Sequence, residues 1–171
     1  MKKIKAYSEY ASQIKILIIV FILTAVCSSI FLSLPYNIYE HMLDSKFGFD
    51  RSQISYAMNE LGPQGRSIYI LSGLILDTIF PILYVTFTLG VFSLLGYQSN
   101  FLFILPILAG VSDILENVQT AFIMNASSIN DLSDVQILLA SSANQSKWIF
   151  CCISFIILVY GLGKKLFFKK Y

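Results

Sequence analysis

Four long apolar runs constrain this chain more than any other feature of its sequence. They cover approximately residues 14–34, 67–95, 101–125 and 147–166, with polar segments between most of them. A helix of about 20 apolar residues spans a hydrocarbon core about 30 Å thick. Within lipid a helix satisfies its own backbone hydrogen bonds, which an open strand cannot do. The runs therefore predict an all-α integral membrane bundle of four transmembrane helices, forming a single domain over residues 1–171.

The composition agrees with a membrane protein. Hydrophobic residues make up 56% of the chain and charged residues 13%, whereas soluble domains average about 45–50% apolar and about 25% charged residues. The net charge of +2 is too small to indicate a nucleic-acid partner. The three cysteines lie in apolar runs and lack the spacing of zinc or redox sites. We therefore expect membrane lipid as a partner, no nucleic acid, no metal site and no cofactor.

The distribution of basic residues predicts the orientation. Lysines cluster near the two chain ends, at Lys2, Lys3, Lys5, Lys15, Lys164, Lys165, Lys169 and Lys170. The long polar segments, 35–66 and 126–147, hold few basic residues: Lys46, Arg51, Arg66 and Lys147. Cytoplasmic loops carry the excess of Lys and Arg, so we expect both termini in the cytoplasm and both polar segments on the outer face.

Each outer segment is predicted to contain a short amphipathic helix. The first would begin at Asp50 or Ser52, continue to Leu61 and end at Gly62-Pro63. The second would begin at Asp131 or Ser133 and continue to Ala140. Such helices lie at the membrane surface or over the bundle.

Acidic residues interrupt the second and third apolar runs. Helix rise places Asp77, Asp113 and Glu116 about 14–18 Å from the outer ends of their helices, near the midplane. Helical periodicity puts Asp77 and Tyr84 on one side of the second helix. The same periodicity groups four residues on one side of the third helix: Asp113, Glu116, Asn117 and Thr120. We predict a single ligand-binding site between these helices, with Thr24 and Ser28 of the first helix facing the same polar interior.

Pro81 adds a second feature to this site. Proline has no N–H, so the carbonyl four residues earlier, that of Asp77, loses its helical donor. Freed carbonyls near the midplane hold cations in many transporters. We therefore expect Asp77 to offer both a carboxylate and a backbone carbonyl.

No Lys, Arg or His lies close in sequence to the three acids. Because an unpaired charge costs several kcal/mol at the bilayer centre, we expect these acids to be protonated or to be neutralised by a cation that the protein does not supply. The alternative is that their hydrogen bonds merely hold the helices together. A zinc site of the usual His/Cys type is not expected, because the single histidine, His41, lies in the outer segment.

The layout, with a polar first loop, intramembrane acids and a lysine-rich tail, resembles the EXPERA family of four-helix membrane proteins. This resemblance implies a sterol-like or lipid-like ligand.

Three functional hypotheses follow from these features. The first is a binding or transport protein, not an enzyme, whose midplane carboxylates hold a cation or a cationic amphipathic ligand. The second is a small membrane-embedded enzyme that uses an acid pair such as Asp77 and Glu116 on a lipid or sterol. The third is a structural subunit, either a homo-oligomer or the partner of another membrane protein, that docks through the small residues Ala25, Ser29 and Ser33.

Overall fold

The computed structural model describes residues 2–167, and this part of the chain is helical without any strand. In chain order the helices are α1 (Lys2–Ala11), α2 (Ile14–Leu32), α3 (Ile38–His41), α4 (Arg51–Leu94), α5 (Asn100–Asn125) and α6 (Asp134–Phe167), with a 3₁₀ turn at Ile129–Asp131. Among the described residues, α2, α4, α5 and α6 are long and apolar enough to cross a membrane. The predicted all-α class is confirmed. Lys169 and Lys170, on which the predicted cytoplasmic location of the C-terminus partly rests, lie outside the described residues.

Helix α4 contains the predicted cap and the predicted break. The Asp50 carboxylate accepts a hydrogen bond from the Gln53 amide at 2.9 Å, and the Gln53 side chain accepts one from the Asp50 amide at 3.0 Å. The Ser52 hydroxyl and the Gln53 amide hold the pKa of the Asp50 carboxyl below its usual value. At Gly62 the backbone has φ 59° and ψ −177°, a conformation that only glycine adopts readily. Pro63 then begins the second part of α4, which continues to Leu94.

Helix α6 corrects the prediction for the last part of the chain. The expected short helix ending at Ala140 and the expected span over 147–166 form one continuous helix, Asp134–Phe167. The Ser133 hydroxyl accepts a hydrogen bond from the Gln136 amide at 3.2 Å and marks its start. No proline or glycine interrupts residues 134–160, so nothing in the sequence ends a helix there. The polar stretch 141–147 is therefore helical and does not form a loop.

The N-terminal segment also forms a helix, α1, which was not among the predicted helices. The Tyr7 and Thr86 hydroxyls are 2.7 Å apart, and Lys5 donates to the Gln98 side chain at 3.1 Å, so α1 is fixed against the end of α4. Gly90 permits this approach, because a Cβ atom there would lie 2.6 Å from the carbonyl oxygen of Ala11.

Helices α4, α5 and α6 pack against one another, and α2 packs on α4. At one end, which we call the lysine end, Lys165 of α6 donates to the carbonyl of Leu94 at 3.1 Å. At the opposite end, the loop end, segments 33–50 and 126–133 cover the helices. A core of apolar side chains fills this end, including Ile38, Leu43, Ile54 and Ile123.

Two arginines fix the loop end. Arg51 donates to the carbonyls of Ile129 and Leu132 at 2.7 and 2.8 Å. Arg66 donates to the carbonyls of Met124 and Ala126, which lie at the end of α5 and lack helical donors. The arginines of this end therefore bind protein backbone, and the cover over α4–α6 is anchored to α4.

We predict that Gly90→Ala destabilises the protein, because its methyl group would overlap the Ala11 carbonyl and displace α1. Overpacking of this kind costs about 1–3 kcal/mol. Thermal unfolding in detergent would measure the loss. Gly163→Ala is the matched control, because a Cβ at Gly163 meets nothing within 4 Å. Equal melting temperatures for the two variants would contradict the close approach of α1 and α4.

Candidate functional site

A buried lysine lies beside two of the acids that were predicted to form the site. The Lys147 ammonium is 2.5 Å from the Glu116 carboxylate and 3.5 Å from that of Asp113. Lys147 is 6% exposed, and Glu116 is fully buried at 0%. The expectation that the protein supplies no counter-charge is therefore wrong.

The length of α6 explains why Lys147 is buried beside the acids. From the sequence, Lys147 was expected at the membrane surface, at the start of the last apolar run. Since α6 begins at Asp134, Lys147 lies 13 residues inside it (147 − 134), which corresponds to about 20 Å of helix. A helical stripe points to this location, because the buried positions Ile137, Ala140, Asn144 and Lys147 recur every three or four residues.

Asn144 completes the environment of Glu116. Its amide nitrogen donates to the second oxygen of Glu116 at 2.8 Å and to the Asp44 carbonyl at 3.2 Å. Its side-chain oxygen accepts from the Gly48 amide at 2.6 Å. Glu116 thus contacts an ammonium and an amide, and the same asparagine joins α6 to segment 42–50. Such satisfied contacts are what a buried carboxylate requires.

Asp44 brings a fourth acid to the cluster, and the sequence analysis missed it. Its backbone carbonyl accepts three hydrogen bonds, from Asn144, Lys147 and Trp148, at 3.2, 3.2 and 3.1 Å. One oxygen of its carboxyl group is buried without a hydrogen-bond partner among residues 2–167. Burial raises the pKa of the Asp44 carboxyl, while the charge of Lys147 opposes that shift. Asp44 lies in an irregular segment, where no periodicity predicts which way a side chain points.

Asp113 and Tyr84 meet as the helical periodicity predicted. The Tyr84 hydroxyl donates to Asp113 Oδ2 at 3.1 Å, while Asp113 Oδ1 faces Lys147. The buried side chains Glu116, Asn117 and Thr120 lie along the same part of α5. The structure therefore brings together the predicted residues of α4 and α5.

The carbonyl that Pro81 frees is occupied by the protein. The Asn117 amide donates to the Asp77 carbonyl at 2.6 Å, in place of the missing helical N–H. The expectation of a free carbonyl ready for a cation is corrected accordingly. A polar side chain on a neighbouring helix is one of the usual ways to satisfy such a group in a membrane.

The Asp77 carboxyl group has the least support in the cluster. It is 5% exposed and makes no hydrogen bond to any described side chain or backbone group. It lines a cavity of about 10 Å³ together with Tyr69, Gly73, Asn117 and Thr120. The Thr120 hydroxyl is also buried without a partner in the described chain. A space of this size accommodates about one water molecule.

Thr24 and Ser28 are not brought to the site. Their hydroxyls donate to carbonyls of their own helix, those of Val20 and Thr24, at 2.8 and 3.0 Å. Helix α2 packs on the outer side of α4, where the Cys27 thiol lies 3.7 Å from the Leu76 carbonyl. The proposed polar interior is therefore built by α4, α5, α6 and segment 42–50, and α2 stays outside it.

The cluster carries more acid than base. The Lys147 ammonium contacts the carboxyl groups of Glu116 and Asp113 and the backbone carbonyl of Asp44, and the carboxyl group of Asp77 is also buried. A single positive charge balances one carboxylate, and further ionised carboxylates in a medium of low dielectric constant are strongly unfavourable. The remaining acids must therefore hold protons or face another cation. Within residues 2–167, no group of three or more His, Cys, Asp and Glu side chains is arranged to hold a metal ion.

Comparisons with protein-family models, with curated proteins and with solved structures give no match to this chain.

We predict that Lys147→Met destabilises the protein by about 3–5 kcal/mol, because it leaves Glu116 and Asp113 buried without their counter-charge. Adding Glu116→Gln to this variant should recover a large part of the loss, since it removes the carboxylate of the closest pair. Chemical unfolding in detergent, analysed as a double-mutant cycle, would measure the coupling. Strictly additive losses for the two substitutions would contradict the ion pair.

We predict that Asn117→Leu destabilises the protein by about 1–3 kcal/mol, because the Asp77 carbonyl then stays buried without a donor. Pro81→Ala should rescue this variant, since residue 81 regains the N–H that bonds the carbonyl within α4. Melting temperatures of Asn117→Leu, Pro81→Ala and the double variant would test this rescue. A double variant no more stable than Asn117→Leu alone would argue against the bond between α4 and α5.

Proposed function

We propose that this chain is an integral membrane protein that binds and releases a proton at its buried acid–lysine cluster, as part of a binding or transport function. One observation carries the proposal: the carboxyl groups of Glu116 and Asp113 share the single ammonium of Lys147, while the carboxyl group of Asp77 is buried without an ion-pair or hydrogen-bond partner among the described residues. Intramembrane acids at such positions are characteristic of proton relays in pumps and transporters. The proton is the cation that balances the excess acid.

The available space favours a proton over the larger ligands considered from the sequence. The cavity beside Asp77 measures about 10 Å³, whereas sites for drug-sized ligands measure about 300–1,000 Å³. A cationic amphiphile does not fit against the Asp77 carboxyl in this conformation. Asp77 is the group that we assign to proton binding, because its carboxyl lacks the partners that Glu116 and Asp113 have.

The proposal includes an arrangement in the membrane. The four long helices would span as one bundle, with α4–α6 at its centre and both termini in the cytoplasm. The described lysines at the lysine end support this orientation by the positive-inside rule. The parts of α4 and α6 near the loop end, 51–61 and 134–140, would be the amphipathic segments on the outer face. Asp44 and segment 42–50 would then cover the cluster on that outer face.

The other hypotheses draw less support from this geometry. A lipid-processing enzyme needs an acid pair that its substrate can reach, but Glu116 is fully buried and already bound by Lys147 and Asn144. A role as an assembly subunit rests on Ala25, Ser29 and Ser33, which are exposed on α2 and identify no partner by themselves.

We predict that infrared spectroscopy of the protein in nanodiscs reveals protonated carboxyl absorption at neutral pH, and that Asp77→Asn removes the part of that absorption that Asp77 contributes. The physical reason is that the cluster holds too many acids for one ammonium. Glu60→Gln is the control, because Glu60 is exposed and should not contribute. The same variants in liposomes with an internal pH indicator would show whether proton binding supports proton movement.

A neutral-pH spectrum without a protonated carboxyl band would refute the proposal for the wild-type protein. An unchanged band in Asp77→Asn, with the protein still folded, would remove Asp77 from the proton-binding role. Unfolding curves of both variants provide the check on folding.

A further inference from the structure

Two buried hydroxyl groups lack the hydrogen bond to a helix carbonyl that other hydroxyls of these helices form. In the spanning helices, hydroxyls such as those of Thr78, Thr86 and Thr88 donate to the carbonyl four residues earlier, at 2.7–2.8 Å. Thr120 and Ser154 do not, although their hydroxyl oxygens are fully buried and have no partner within residues 2–167. A buried polar group without a partner is uncommon and indicates a ligand or ordered water.

Both hydroxyls line cavities that lie on opposite sides of the acid cluster. Thr120 lies at the small cavity beside Asp77. Ser154, which is 5% exposed, lines a cavity of about 210 Å³ between α4, α5 and α6, toward the lysine end. Its other lining residues include Tyr84, Thr88, Pro106, Ala109 and Cys151. This volume has room for several water molecules.

Tyr84 connects the larger cavity to the cluster. It lines the cavity wall, and its hydroxyl donates to Asp113 Oδ2 at 3.1 Å. Asp113 in turn faces Lys147 at 3.5 Å, and Lys147 contacts Glu116 at 2.5 Å. One hydrogen bond and two ion-pair contacts therefore lead from the cavity wall to Asp113 and Glu116, and the groups that would occupy the cavity beside Ser154 would extend this chain.

We infer that this cavity is a water-binding site that exchanges protons with the acid cluster through Tyr84, with Ser154 holding the water. The inference rests on the proposed proton-binding function and adds the route by which protons would pass between the lysine end and the cluster. Water satisfies the observed chemistry because it donates to and accepts from Ser154 and can donate to the tyrosine oxygen, whose own proton is directed at Asp113.

The proton step balances without another reactant. A hydronium ion in the cavity gives a proton to the tyrosine oxygen and becomes water. As this new bond forms, the original O–H bond of Tyr84 breaks, and its proton forms an O–H bond on Oδ2 of the ionised Asp113. One proton has moved to the cluster, and the tyrosine is again neutral.

An apolar layer separates the cavity from the lysine end. Leu89, Phe92 and Phe103 are buried there, and Tyr97 packs on Phe92 while its hydroxyl donates to the Ile157 carbonyl at 2.9 Å. Proton exchange with that side therefore requires this layer to part, and the structure represents the closed form of the route.

Neighbouring native cysteines provide the test. Cys151 lines the cavity, whereas Cys152 is exposed on the outer surface of α6, which contacts lipid under the proposed arrangement. N-ethylmaleimide is small and uncharged, so it would reach Cys151 when the apolar layer parts. Maleimides react with the thiolate, which forms in water and not in hydrocarbon, so we expect faster labelling of Cys151 than of Cys152. Variants that retain one of these cysteines, with the other two replaced by alanine, would be compared in nanodiscs.

Replacing the Ser154 hydroxyl by an apolar side chain should slow both the labelling of Cys151 and the proton uptake. Ser154→Val is expected to slow labelling of Cys151 to the rate of Cys152, and to slow proton uptake after a pH jump, followed with a pH indicator. Ser29→Val is the matched control, because the Ser29 hydroxyl is exposed and bonds the Ala25 carbonyl. Ser154→Ala removes the hydroxyl without adding volume and serves if the valine variant does not fold.

Equal labelling of Cys151 and Cys152 in the wild-type protein would overturn the inference, and so would recovery of an organic molecule from the cavity by mass spectrometry of the purified protein. Unchanged proton uptake in folded Ser154→Val or Ser154→Ala would also overturn it. If the protonated carboxyl band of Asp77 is observed at neutral pH while these tests fail, only the route is wrong. If Cys151 labels as expected but no protonated carboxyl band is present at neutral pH, the proposed function is wrong and the cavity is simply hydrated.

Discussion

The ion pair between Lys147 and Glu116 is the interaction on which the interior of this protein depends. An ammonium cannot remain deep in an apolar helix unless a carboxylate and further hydrogen bonds replace its water. Here Glu116, Asp113 and the Asp44 carbonyl supply those contacts. They come from α5 and from segment 42–50, so the pairing of one side chain determines how α6 lies against both. The polar stretch 141–147 is helical because these partners exist.

The same cluster explains why segment 42–50 has a fixed conformation with little regular structure. Its backbone bonds side chains of α6: Asn144 accepts from Gly48, Ser141 accepts from Phe49, and Trp148 donates to Asp44. Tyr69 of α4 accepts from the Leu43 amide at 3.0 Å. Side chains thus replace the helical partners that this backbone lacks, which a buried loop requires. The cover and the cluster therefore stabilise each other.

A residue of this site could be predicted from the sequence only where it lies in a recognisable regular helix, because helical periodicity then gives the direction of its side chain. Asp77, Asp113 and Glu116 could be placed by helix rise and facing, because α4 and α5 are regular through that region and a short turn joins them. Lys147 was missed because its polar neighbours resembled a loop, although the stripe Ile137, Ala140, Asn144 and Lys147 was present. Asp44 lies in an irregular segment, so no helical periodicity predicts the direction of its side chain. Thr24 and Ser28 were misplaced because α2 is apolar on all sides, so its sequence does not define which face it turns to α4.

The continuous α6 has a consequence for how the protein is made. The ribosome delivers α4 and α5, with their acids, before it delivers Lys147. During that interval the acids lack their counter-charge, and protons from the surrounding water are what can neutralise them. In the proposed membrane arrangement, the ammonium of α6 would enter against carboxyl groups that are already in place, which would offset the unfavourable transfer of a charged helix into lipid. Insertion of α6 would then depend on the two helices that precede it.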